Sequence, residues 1–145
     1  AMAHACADSD PWCTYLQCQM TKEGEGGQPR DLGVAFELCR SAADGNVPDA
    51  MLMTADIVRG QSGALPGVGA APEDRRDMAQ AYYRKAAGMG LPEGYRGLGL
   101  VLQEAQKPGA RACFQRARQL TSDPRAQAKL DELIRSADDT GRCPT

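Results

Sequence analysis

Apolar and small residues recur along this chain with the spacing of a helix face. Ala79, Tyr82, Tyr83, Ala86 and Ala87 fall at steps of three and four, so rings and small side chains share one stripe. Gly88 and Gly90 follow, and glycine accepts the left-handed turn that closes a helix. Leu91-Pro92-Glu93 then predicts a new start, with proline in the first turn and an acid beside the positive helix end. In that second helix Gly94, Gly97, Leu98, Gly99 and Leu102 leave little side chain between it and its partner. Glycine disfavours a helix by about 1 kcal/mol per residue, so its repeated use predicts close helix packing that offsets the loss. The unit predicted is a helix hairpin with a tight corner.

The pattern is repeated. Residues 35–60 and 79–105 align at an offset of 44, with Ala35, Arg40, Ala42, Ala43 and Pro48 meeting Ala79, Arg84, Ala86, Ala87 and Pro92. A looser third copy starts at Ala110. Ahead of the copies, Pro11–Lys22 predicts a short helix that Trp12 is expected to anchor, followed by the linker GEGGQP at 24–29. Between the first two copies runs a long glycine-rich loop, GQSGALPGVGAA at 60–71, before Pro72-Glu73-Asp74 opens the next helix. The expected organisation is a disordered tail at 1–9, a helix and linker at 10–30, three helix pairs at 31–136 and a C-terminal tail at 137–145.

Composition narrows the fold class. The 23 alanines stand against five valines and two isoleucines, and only 5% of residues are aromatic. A sheet needs β-branched and aromatic side chains to fill its pleats, so an all-α fold is expected. A net charge of −2 gives no broad pull towards nucleic acid or acidic lipid. No apolar run approaches the roughly 18 residues that cross a bilayer.

The cysteines bear on the compartment. Cys6, Cys13, Cys18, Cys39, Cys113 and Cys143 contain no CxxC, and the single histidine, His4, lies in the expected tail, so neither a zinc site nor a dithiol redox centre is supported. Structural disulfides of an oxidising compartment are the expectation. Sequence does not choose among the possible pairings. The helix map favours Cys18–Cys39 between the first two helices and Cys113–Cys143 pinning the tail, which leaves Cys6–Cys13. The opening Ala1-Met2-Ala3 reads as a cloning remnant ahead of a processed, exported chain, periplasmic in a bacterium or secreted. A former lipid-anchor role for Cys6 stays open.

No constellation predicts catalysis. Gly97-Leu98-Gly99 lies inside a helix and Gly67-Val68-Gly69 lacks the lysine and hydroxyl that end a phosphate loop. Glu73-Asp74 is explained by a helix start. Asp138-Asp139, Arg75-Arg76 and the set Arg111, Arg116 and Arg118 read as solvated surface. Tyr82 and Tyr83 read as core. No metal and no cofactor are expected.

The copies resemble the Sel1-like repeat, a tetratricopeptide-like α-solenoid family. Ala79, Tyr82, Tyr83, Lys85, Ala86, Ala87 and Gly90 match the first half of its pattern, and Leu98-Gly99 matches the second. Leu38-Cys39 and Cys113-Phe114 hold the paired ring positions in the other copies, while Thr54-Ala55 and Leu130-Asp131 depart from Leu-Gly. The resemblance covers about residues 31–135 and implies a short right-handed α-solenoid of antiparallel helix pairs, here disulfide-stapled. It also implies binding of another protein, as an envelope assembly scaffold, a signalling regulator or an immunity protein that occludes a secreted toxin. Some cysteine-rich members are associated with penicillin binding and weak β-lactamase activity. They carry a regular cysteine pair in each repeat, a pattern missing here. The candidate partner-binding residues are Gln61, Ser62, Leu65, Pro66 and Val68 of the glycine-rich loop, with Arg84 and Arg96 on helix faces.

Overall fold

The computed structural model describes residues 10–23, 31–60, 65, 67–69 and 71–144. Among them are seven α-helices and no strand: α1 (Pro11–Glu23), α2 (Leu32–Asp44), α3 (Pro48–Gly60), α4 (Pro72–Gly88), α5 (Pro92–Glu104), α6 (Ala110–Leu120) and α7 (Pro124–Ser136). One helix precedes three antiparallel pairs, the order that the repeat predicts. The helices fall into two compact units, Ala1–Ala79 and Gln80–Thr145, which divide within α4.

In the first unit α1 and α2 run antiparallel. Their far ends meet where the amide of Asp31 donates to the carbonyl of Thr21, and the Cys18–Cys39 disulfide joins their middles with a Cα separation of 5.3 Å. Asp31 opens α2 by accepting from the amides of Gly33 and Val34 at 2.9 and 3.1 Å. The helix buries Ala35, Phe36, Cys39, Ala42 and Ala43, a stripe of helical period. In α3 the buried set is Ala50, Met51, Thr54, Ala55, Ile57 and Val58. Thr54 can be fully buried because its hydroxyl donates to the Ala50 carbonyl at 2.7 Å.

The corners between paired helices repeat at the level of single hydrogen bonds. After α2, Asn46 is left-handed (φ 68°), its amide donates to Ala43 O, and the Val47 amide reaches Ala42 O. After α4, Gly90 (φ 85°) donates to Ala87 O, and Leu91 to Ala86 O. Both are Schellman closures, followed at once by the proline that opens the next helix. The expectation for Gly88 and Gly90 divides here, since Gly88 is still helical and Gly90 alone makes the left-handed step.

In the second unit α5 packs between two rings. A β-carbon on Gly97 would strike the Tyr83 ring, and one on Gly94 would lie 2.9 Å from the Tyr83 carbonyl oxygen. Towards α6, a β-carbon on Gly99 would strike the ring of Phe114. Tyr83 and Phe114 are 2% and 0% exposed, so the missing side chains of α5 are the space these rings fill. Tyr82 is also core, with the Lys85 ammonium 5.2 Å from its ring centre.

The C-terminal tail docks on the corner between α5 and α6. Gly109 (φ 105°) donates its amide to Thr140 O at 2.7 Å, and a β-carbon on Gly141 would lie 2.7 Å from Pro108 Cβ. The Cys113–Cys143 disulfide fixes the tail beyond that point. Both pairings favoured by the helix map are therefore present. Cys13 is disulfide-bonded too, and Cys6, its expected partner, lies outside the described residues.

Three expectations are corrected. Trp12 does not anchor α1: it is 52% exposed and touches Tyr15 edge-on, while Cys18 and Thr21 face inwards. The ring on the core face of α2 is Phe36, fully buried, whereas Leu38 is half-buried. Arg111 is not simply solvated. It is half-buried and ties the tail by donating to Ala137 O at 2.8 Å, with Asp139 at 3.9 Å.

Candidate functional site

Among the described residues no group of three or more His, Cys, Asp or Glu side chains could hold a metal ion, and no cysteine is free. His4 lies outside them. Among the described residues two groups titrate away from their ordinary values, for local reasons. Burial, with the nearby Asp49 carboxylate, pushes the Tyr15 phenol up. Hydrogen bonds from the Thr140 hydroxyl and amide hold the Asp138 carboxyl down. No nucleophile, base and orienting group come together around either.

The feature built for contact is a groove along α5 and α7. Residues of α5 and α7 line shared hollows, and α6 contacts both helices. Two hollows lie along the groove. One, of about 320 Å³, sits where the start of α5 meets the α6–α7 corner and is lined by Glu93, Leu120, Asp123, Ala126 and Leu130 among others. The other, of about 510 Å³, lies further along and is lined by Leu100, Lys129, Glu132, Leu133 and Ser136. Arg96 borders both.

Local bonds keep the groove walls in place. Thr121 donates its hydroxyl to Ala117 O at 2.7 Å, and the Gln127 amide group donates to Thr121 O at 2.6 Å. Asp123 caps α7 by accepting from the Arg125 amide, and Arg118 of α6 holds Asp131 of α7 at 2.6 Å. Leu120, the last residue of α6, is 38% exposed at the groove mouth. Arg96 is exposed and forms no ion pair or hydrogen bond among the described residues. An unpaired guanidinium between two partly apolar hollows can meet a carboxylate while its neighbours cover apolar surface.

Of the candidate partner-binding residues that are described, Arg96 alone lines this groove. Arg84 is exposed on α4 and lines neither hollow. Gln61, Ser62 and Pro66 lie outside the described residues. Leu65 is only 6% exposed and so belongs to the packing, and Val68 is half-buried. The described part of the loop lies over Arg40, whose guanidinium would be 2.8 Å from a β-carbon on Gly67. Leu100, Leu120, Leu133 and Lys129 had not been singled out. For Leu133 and Lys129 the signal was the amphipathic α7, whose Leu130 is buried while Leu133, three residues on, stays half-exposed with no described helix after it.

No family model matches the sequence, and no curated protein matches it. Among solved structures the fold is similar to that of a Sel1 repeat protein from Oxalobacter formigenes, with a TM-score of 0.66 and 22% sequence identity. The match covers 89% of this chain and 51% of that one, so the chain spans about half the length of the protein it resembles. At that identity the likeness concerns the fold: a helical repeat of the tetratricopeptide-like α-solenoid type.

Proposed function

We propose that this chain is a non-catalytic protein-binding module of an oxidising, exported compartment such as the periplasm, acting as an immunity protein that occludes a secreted toxin or effector. The observation that carries the binding reading is the α5–α7 groove, with its unpaired Arg96 held on a stapled helical scaffold. Rigid walls limit the ordering cost of association, as an inhibitor that plugs a cleft requires. Disulfides at Cys18–Cys39 and Cys113–Cys143 support the oxidising compartment.

A cell-envelope adaptor or signalling regulator is the second reading, favoured by the likeness to a Sel1 repeat protein whose chain extends beyond the matched half. Co-purification from the native host followed by mass spectrometry distinguishes them. One stoichiometric partner whose activity falls when this chain is added supports immunity, and envelope components support the adaptor. Absence of any partner, together with turnover of a chromogenic β-lactam, overturns both in favour of the penicillin-binding relatives.

A further inference from the structure

We propose that the Cys113–Cys143 disulfide is a latch operated by small thiols. Attack at Cys143 opens it, the C-terminal tail swings out about Ala137, and the start of α6 loses its cover while Cys18–Cys39 stays closed. This goes beyond the protein-binding reading and does not depend on the partner. The sulfurs differ in access. Cys18, Cys39 and Cys113 are 0% exposed, whereas Cys143 is partly open to solvent. Cys18–Cys39 also joins the middles of two packed helices, so a thiol reaches it only when α1 and α2 part. Cys143 instead ends a stretch, 138–142, in which every residue is exposed. That stretch is held at its two ends. Ala137, itself buried, accepts from the Arg111 guanidinium at 2.8 Å, and Cys143 is bonded to α6. Between them lie the bond from the Gly109 amide to Thr140 O, the fit of Gly141 against Pro108, and Asp139 at 3.9 Å from Arg111.

The exchange consumes two thiols. One thiolate attacks Cys143 Sγ, the S–S bond breaks, and its electron pair leaves on Cys113 Sγ. A second thiolate attacks the small-molecule sulfur of the mixed disulfide and releases Cys143 as its thiolate. Two electrons thus enter the protein, and the thiol departs as its own disulfide. Charge on a fully buried sulfur is unfavourable, so Cys113 carries it only as the tail lifts and water reaches the first turn of α6. There the positive helix end favours a thiolate. Bond breaking and undocking are thereby coupled. Asp31 and Asp123 cap α2 and α7, but no side chain caps α6, and the amide of its cap residue Gly109 is bonded to the tail. Losing the tail therefore uncovers a helix start with no side chain to satisfy it. Asp138 accepts from the amide and hydroxyl of Thr140, a turn internal to the tail that undocking leaves in place. The preformed turn lowers the cost of redocking, and the reverse exchange with a small disulfide closes the latch.

Thiol exchange on the whole native protein tests this. The protein is incubated with reduced glutathione, sampled with a fast alkylating agent and mapped by mass spectrometry. Cys113 and Cys143 are expected to take label at least about tenfold sooner than Cys18 and Cys39, because exchange follows access to the sulfur attacked. The trapped glutathione adduct is expected on Cys143. Hydrogen exchange at the Gly109 amide is expected to accelerate on the same time course and to slow again when oxidised glutathione is restored, with the amides of α2 unchanged. Cys113→Ser/Cys143→Ser is expected to show the fast Gly109 exchange without any thiol. The wild-type measurements decide the matter even if that variant does not fold. Opening of Cys18–Cys39 before or together with the tail bridge, an adduct on Cys113, or Gly109 protection that survives reduction overturns the proposal.

Discussion

The ring of Phe114 occupies the space where a β-carbon on Gly99 would stand, with Cζ only 2.8 Å from that position. A methyl group there forces a fully buried ring out of place, and overpacking of this kind costs about 1–3 kcal/mol. The gain in helix propensity from removing glycine is about 1 kcal/mol. Gly99→Ala is therefore expected to lower stability in urea or thermal denaturation. Gly88→Ala is expected to raise it by up to about 1 kcal/mol, since Gly88 is helical with nothing within 4 Å of the added atom. Equal effects at the two sites would contradict the ring-in-cup packing of α5.

Breaking the tail staple has a local readout. In Cys113→Ala/Cys143→Ala, a loss of about 2–4 kcal/mol is expected, as for disulfides in general. Before global unfolding, hydrogen exchange at the Gly109 amide is expected to accelerate, because its bond to Thr140 O depends on the docked tail. Unchanged protection at Gly109 would show that Arg111 and its bond to Ala137 O hold the tail unaided.

Replacing Trp12 by Ala is expected to change the unfolding free energy by less than about 1 kcal/mol, because half of its surface is already in water. Phe36→Ala, removing a fully buried ring from the neighbouring helix, is expected to cost about 3–5 kcal/mol. Comparing the two melting curves checks which aromatic residue organises the first unit.

Two titrations have definite signs. Tyr15 has its folded pKa raised, so its contribution to stability is present below the unfolded value of about 10 and is lost as pH climbs through the folded value. Ultraviolet titration should place its ionisation above that of free tyrosine, and Asp49→Asn should bring it part of the way back. Asp138 has its folded pKa lowered, so its contribution is present above the unfolded carboxylate range and is lost as pH falls through the folded value. Thr140→Ala should raise the Asp138 pKa seen by NMR, since it removes the hydroxyl that donates at 2.7 Å.

How much of this was legible in the sequence differs by element. The pairing of helices and their corners was, because it depends on local signals: proline at Pro48 and Pro92, and alanines at 42, 43, 86 and 87 that allow close approach. Trp12 was misplaced because a large aromatic residue suggests burial, while the actual contact face of α1 is set by Cys18 and the bridge to Cys39. Phe36 was missed because alignment at the ring positions looks two residues further on, at Leu38. The groove was legible only at Arg96. Its other wall comes from α7, whose position against α5 is tertiary and follows from no pattern within either helix.

Cys39 and Cys113 stand at positions where the copy between them carries the tyrosine pair, and both are in disulfides. An aromatic ring at such a place holds its neighbour through contact area, a hold governed by temperature and solvent. A disulfide is governed instead by the thiols around it and yields to electrons before it yields to heat. The helix pair α1–α2 and the C-terminal tail are thus fastened by a different kind of bond from the contacts around Tyr83. A thiol that reaches these bridges loosens the α1–α2 pair and the C-terminal tail while the Tyr83–Gly97 contact keeps its form.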